Sequence, residues 1–333
     1  MHVFLIGYYG FNNTGDDICL KKSKEIISSV INGCSFLVLA RKQDCKAGHV
    51  NRLNIIEIIK AIKKSDKVIF GGGGLLQSAT STASLYYYLM FIVLAKLFKT
   101  PVLFLGQDIG PIKNKLNQYI TRLILNGVVK GSLRSLVAQD YFRSNEKIRL
   151  LADISFYNAN ISSDTSKNSN IIGLNFREHK LQSLYPKIIA LCEYKQLNPQ
   201  GISLCPDIDT NVLQNTGLAT GHIEAINEYN FYEKSKKNYK FIISMRYHCC
   251  VWAILQGIPF IALECDPKLT YLAKQMEQPY VKLNSQANKK LVEKEMEKII
   301  QNMQEKHHEY TDKIEQNRQT LLNRAQEHKW VLQ

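Results

Sequence analysis

The chain has 333 residues, more than one hydrophobic core usually organises, so two domains are expected. Its 45% hydrophobic and 22% charged residues are those of a globular protein, and the apolar run 85–95, stopped by Lys96, is too short to span a bilayer. A formal net charge of +14 points to an anionic partner: nucleic acid, an anionic membrane surface or an acidic metabolite. No zinc-finger, basic-zipper or RNP-type pattern supports nucleic acid.

The N-terminus, Met1-His2-Val3-Phe4-Leu5-Ile6-Gly7, has no basic region and no small-residue cleavage site, so 2–7 reads as a first strand and not a signal peptide. Further strands are expected at 35–40, 67–71, 101–106, 131–135 and 148–152, with helix-length stretches near 16–30, 54–64, 81–99 and 114–127. That alternation predicts a parallel sheet flanked by helices, a Rossmann-like domain over residues 1–157. Between Asp108 and Asp140 there is no acid, but Lys113, Lys115, Arg122, Lys130 and Arg134 are present; Arg143, Lys147 and Arg149 follow. The plain reading of this run is a solvated basic face.

Residues 158–170 are polar, with almost no core-forming side chain, and are the expected linker. The pattern then restarts with strands at 171–176, 201–205, 241–245, 260–264 and 280–283, giving a second domain over 171–333. Its tail, from 287 to about 326, reads as one long amphipathic helix or two. The fold class expected is α/β, two Rossmann-like domains in a GT-B-like arrangement with a long C-terminal helix. Cysteines at 19, 34, 45, 192, 205, 249, 250 and 265 show no C-x-x-C spacing, so neither a disulfide framework nor a zinc site is implied. Buried free thiols are expected, with a cytoplasmic location.

Loops at strand ends carry the chemistry. Gly7-Tyr8-Tyr9-Gly10-Phe11-Asn12-Asn13-Thr14-Gly15-Asp16-Asp17 leads into a helix, where two adjacent carboxylates either take protons from sugar hydroxyls or complement the helix dipole. Gly71-Gly72-Gly73-Gly74-Leu75-Leu76-Gln77 bares backbone amides after a strand, without nucleotide-loop spacing. Gly106-Gln107-Asp108-Ile109-Gly110-Pro111 adds an amide and a carboxylate. The strand at 241–245 ends in Arg246-Tyr247-His248, and the strand at 260–264 ends in Cys265-Asp266-Pro267-Lys268. Each residue alone reads as structural; several polar groups at successive strand ends read as a site.

With these motifs in order, the chain resembles the polysaccharide pyruvyl transferase family, in particular its CsaB-like branch. The resemblance implies transfer of a pyruvyl group from phosphoenolpyruvate to a sugar of a surface polysaccharide. It implies a phosphoenolpyruvate site at Arg134, Arg246, His248 and Lys268, and an acceptor side at Asn13, Asp16, Asp17, Gly73, Gly74, Gln107 and Asp209. Asp17 stands where glutamate is more usual, and no acid follows Arg134.

The chemistry asks for such groups. Phosphoenolpyruvate carries a phosphate and a carboxylate, which fixed cations hold. Ketal formation needs a proton on the enol methylene carbon, a role suited to His248, and a base for the acceptor hydroxyls, a role suited to Asp16 or Asp17. Arg246 would stabilise the departing phosphate. No cofactor or metal is expected. The partners expected are phosphoenolpyruvate, a polysaccharide or lipid-linked oligosaccharide, and an anionic membrane surface met through segment 109–139. The alternatives are a GT-B glycosyltransferase using a nucleotide sugar and a non-catalytic sugar-binding protein.

Overall fold

The computed structural model describes residues 1–41, 48–79, 81–142, 146–159, 169–283 and 288–333. The chain forms two compact units, Met1–Asn158 with Leu321–Gln333, and Ala159–Thr320. Most of the expected linker, with Cys45 and Arg143, lies outside the described residues.

The first unit runs β1 (His2–Ile6), α1 (Thr14–Val30), β2 (Ser35–Ala40), β3 (His49–Asn51), α2 (Ile55–Lys64), β4 (Lys67–Leu76), α3 (Thr82–Leu97), β5 (Val102–Ile109), α4 (Lys115–Leu125), β6 (Val128–Leu133), α5 (Leu136–Gln139) and β7 (Ile148–Leu150). Its strands form a seven-stranded sheet in the order β3-β2-β1-β4-β5-β6-β7, with every pair parallel. Central β5 is buried along its whole length, as a strand covered by helices on both faces must be. The order reverses direction between β1 and β4.

The second unit runs β8 (Ile171–Asn175), α6 (Tyr185–Tyr194), β9 (Asn198–Ser203), α7 (Pro206–Gln214), β10 (Ile223–Ala225), β11 (Phe241–Ser244), α8 (Tyr247–Gln256), β12 (Phe260–Glu264), α9 (Pro267–Gln275), β13 (Tyr280–Lys282), α10 (Lys289–Glu305) and α11 (His307–Gln326). Its six-stranded parallel sheet has the order β10-β9-β8-β11-β12-β13 and reverses between β8 and β11. Crevices for ligands open at such reversals, beyond the carboxyl ends of the strands.

Three differences from expectation have physical causes. The glycine run Gly71–Gly74 is not a loop: β4 continues through it, pairing Gly71 with Leu105 and Gly73 with Gln107. Glycine is needed at Gly72, where φ is +66° and an added Cβ would lie 2.7 Å from Cys19 on α1 and from Ile154. The tail takes the two-helix form of the expectation, α10 and α11, but its final residues from Leu321 onward pack with the first unit instead of within a 171–333 domain. There His328 is fully buried, and the Trp330 ring meets the Lys130 ammonium at 4.2 Å and the Arg149 guanidinium at 3.9 Å. Finally, β3 and β10, three residues each, have no readable pattern of their own and exist as edge additions to β2 and β9.

Candidate active site

At the carboxyl edge of the first sheet, β1 leads into α1. The backbone oxygen of Asn13 accepts from Asp16 N at 3.0 Å and Asp17 N at 3.1 Å, while its amide Nδ2 donates to Asp16 Oδ2 at 2.6 Å. The two carboxylates thus occupy the positive end of α1. Asp16 faces Gly73 across the turn, since a Cβ there would come 3.3 Å from Asp16 Oδ1. The Tyr9 ring folds back over Gly7 and its hydroxyl donates to Gly71 O at 2.6 Å. Burial raises its pKa, and the nearby Cys19 and Asp16 add to the effect.

Arg134 and Gln107 lie deeper. Gln107 is fully buried and donates Nε2 to Gly72 O at 2.5 Å, tying β5 to β4. Arg134, 4% exposed, donates Nη1 to Asp153 Oδ2 at 2.5 Å and has Asp108 Oδ2 3.6 Å from its Nε. Ser135 Oγ donates to the other Asp108 oxygen at 2.5 Å. Arg134 is therefore an internal charge balanced by two buried carboxylates. His328 supports this cluster: Nε2 donates to Ala152 O at 3.0 Å, leaving Nδ1 to accept from Ser132 Oγ at 2.8 Å. Burial lowers its pKa to about 4, so it is neutral.

The carboxyl edge of the second sheet is built around Arg246. This residue directly follows Met245 at the end of β11 and is the N-cap of α8. Its guanidinium grips Asp209 on α7, Nε to both carboxylate oxygens at 2.7 and 2.8 Å and Nη2 to Oδ1 at 2.5 Å. Asp209 is fully buried and also accepts from Leu204 N and Cys205 N, each at 3.1 Å, and from Asn175 Nδ2 at 3.3 Å. Ser244 Oγ donates to Asn175 Oδ1 at 3.1 Å and accepts from Arg246 N at 3.0 Å. The arginine is thereby held from behind by an anchored carboxylate, with 16% of its side chain still exposed.

His248 stands in the first turn of α8, half-buried, with the Tyr247 ring edge-on at 5.4 Å. The neighbouring Cys249 and Cys250 are buried; burial pushes Cys249 up to about 12 and Cys250 well above its ordinary value, so both are thiols. At the end of β12, Lys268 Nζ pairs with Asp266 Oδ2 at 2.9 Å, both partly exposed, and Glu264 accepts from Thr270. One cation here escaped the sequence reading. Arg177, exposed just beyond β8, lies close enough to Cys265 that its charge opposes the rise that burial imposes on that thiol. Tyr185 fixes the spot by donating to Arg177 O at 2.8 Å. The signal was available: the apolar run 171–176 ends in Arg177-Glu178-His179 much as 241–245 ends in Arg246-Tyr247-His248.

The expected residues therefore fall into two sets. Arg246, His248 and Lys268 gather at the second edge with Arg177. Asn13, Asp16, Asp17 and Gly73 gather at the first, with Gly74 further along β4 and Gln107 and Arg134 buried below. Asp209 belongs to the second set, as the buried support of Arg246.

Among solved structures, the chain is similar to Anabaena HepE in complex with UDP and glucose, at 12% identity and TM-score 0.56 over 96% of this chain and 95% of that one. It is similar to a UDP-N-acetylglucosamine 2-epimerase at 11% identity and TM-score 0.57, covering 98% and 93%. It is also similar to WaaG, a glycosyltransferase involved in lipopolysaccharide biosynthesis, at 10% identity and TM-score 0.51, covering 99% and 98%. Together they define the fold as α/β, two Rossmann-like domains of the GT-B-like class ending in a long helix. A search of curated proteins by sequence finds no match. The profile of the polysaccharide pyruvyl transferase family matches residues 13–267, and the chain belongs to that family. It is a transferase of polysaccharide biosynthesis.

Proposed function

We propose that the protein transfers the pyruvyl group of phosphoenolpyruvate to two hydroxyls of one sugar in a surface polysaccharide or its lipid-linked precursor. The observation that carries this reading is the second edge, where Arg246, anchored on buried Asp209, stands with Arg177, His248 and Lys268 at a topological switch point. A donor with both a phosphate and a carboxylate needs several cations held in place before it arrives, and arginine forks suit both groups. Arg177 takes the place first given to Arg134, whose charge is already balanced by Asp108 and Asp153.

In this scheme His248 protonates the enol methylene carbon, and a sugar hydroxyl attacks the cationic carbon that results. The bond to phosphate then breaks, Arg246 and Lys268 stabilising the leaving group. A second hydroxyl of the same sugar closes the ketal. Two hydroxyl protons are released in all; one balances the proton given to the methylene and the other leaves with phosphate. Asp16, oriented by Asn13, and Asp17 serve the acceptor side.

The test is release of phosphate from phosphoenolpyruvate with a lipid-linked glycan fraction as acceptor. His248→Ala lowers turnover by roughly 10²–10⁴-fold, the usual worth of a general acid, while phosphoenolpyruvate still binds. Turnover close to wild type removes His248 from the mechanism. Transfer from a UDP-sugar under the same conditions, without phosphate release, replaces this reading with glycosyl transfer.

A further inference from the structure

We propose that the outward face formed by α3 and α4 in the first unit docks on an anionic lipid bilayer. This docking does not depend on the pyruvyl reading. α3 and α4 are successive crossovers, β4 to β5 and β5 to β6, and lie side by side. Tyr86 Oη near the start of α3 donates to Asn117 Oδ1 near the start of α4 at 2.8 Å. At their far ends, Gly127 sits against Ile92 and Lys96.

A helix on a water-facing surface normally turns polar side chains outward. These two do not. Tyr86, Val93 and Leu97 on α3, and Leu116, Tyr119 and Leu123 on α4, are between 38% and 69% exposed. On α4 they recur at the spacing of one helical face, together with exposed Lys115 and Arg122. Lys96 and Lys99 flank the row at the end of α3, and Lys113 precedes α4.

The charge pattern chooses the occupant. Asp108 is the only acid between Asp66 and Asp140, and it is buried against Ser135 and Arg134. Other cations of the basic segment are used internally, Arg134 between carboxylates and Lys130 on the Trp330 ring. Those that remain on α4 and beside α3 border the apolar row. A second copy of this chain would bring like charges together with no carboxylate on the face to pair them. A bilayer suits both parts: leucine and valine enter the acyl boundary, tyrosine sits at headgroup level, and lysine and arginine meet anionic headgroups. Among the described residues no helix is long and apolar enough to cross a membrane, so the contact lies in the plane of the interface.

The experiment floats the full chain with vesicles of phosphatidylglycerol mixed with phosphatidylcholine, and with phosphatidylcholine alone. Wild type floats with the anionic vesicles and is released by salt. Replacing Leu116, Tyr119 and Leu123 together by serine lowers partition by about tenfold or more. Neutralising Lys113, Lys115 and Arg122 to glutamine lowers it roughly fivefold per charge and flattens the salt dependence. A Tyr119→Trp variant, which leaves the face apolar, adds indole fluorescence that brominated lipids quench, so insertion is read even if the triple variant fails to fold. Absence of flotation, variants that bind like wild type, or fluorescence of the Tyr119→Trp variant untouched by brominated lipid overturns the proposal. A dimer in sedimentation that the same serine substitutions dissociate assigns the face to a second copy and overturns it as well.

Discussion

At the carboxyl edge of the first sheet Asp108 and Asp153 close on Arg134, Asp16 and Asp17 start α1, and Arg41 and Arg52 pack on the aromatic rings of the β1–α1 loop, whereas at that of the second Arg246 is paired with Asp209, Lys268 with Asp266, and Arg177 and His248 stand at neighbouring strand ends. The winding order is the same; the chemistry placed at the strand ends differs. The two arginines show what the difference means. Arg134 is buried between two carboxylates, so its charge is spent inside the protein. Arg246 is gripped by one anchored carboxylate and remains partly exposed, the condition of a charge arranged for a ligand. Carboxylates at a helix start, as Asp16 and Asp17 are, suit hydroxyls that must lose protons, and partly exposed cations suit an anionic ligand.

The largest expected effect breaks the first edge. Asp153→Ala leaves the buried Arg134 cation with only the 3.6 Å pair to Asp108, and chemical denaturation will show a loss of about 3 kcal/mol. Phosphoenolpyruvate affinity of the folded fraction stays at the wild-type value; a parallel loss of affinity would return Arg134 to the donor site.

Next comes acid. His328 carries a folded pKa of about 4 against an ordinary value of 6.5, lowered chiefly by burial. As pH falls below 6.5 the unfolded chain takes up this proton first, so the stability contributed above 6.5 declines and is lost once pH passes about 4. The shift corresponds to on the order of 3 kcal/mol. Melting temperatures measured across this window will fall more steeply for wild type than for His328→Gln; equal slopes would mean that the C-terminal segment does not hold a neutral imidazole there.

The smallest effect is at Arg177, which is exposed. Arg177→Gln weakens phosphoenolpyruvate binding by roughly fivefold, about 1 kcal/mol for one solvent-screened charge, without a change in melting temperature. No change in binding would leave the second edge with Arg246, His248 and Lys268 alone.

Much of this was legible in the sequence, because strand ends in a doubly wound sheet are marked by an apolar run that stops at polar residues. Two Rossmann-like domains, the strand-end pair Arg246 and His248, and the helix start at Asp16 all follow from that signal. What was not legible depends on neighbours distant along the chain. Arg134 and Arg177 look alike locally; only Asp108 and Asp153, brought in by β5 and the segment after β7, make the first an internal charge. The resemblance puts Asp209 on the acceptor side, and its burial under Arg246 comes from the ends of β9 and β11 meeting α7. Gly71–Gly74 reads as a loop because glycine is a poor strand former, yet the close approach of α1 and Ile154 leaves no room for side chains at Gly72. Helical periodicity gave the length of the tail but not the unit on which its last residues pack.

The most direct measurement is calorimetric titration of phosphoenolpyruvate, with UDP as a parallel ligand, into wild type and Arg246→Gln. The second edge as a donor site predicts saturable phosphoenolpyruvate binding to wild type, weakened by about tenfold or more in the variant as a charge-assisted fork is lost, and no comparable response to UDP. Equal phosphoenolpyruvate affinity in the two proteins, or tight binding of UDP with none of phosphoenolpyruvate, would contradict it.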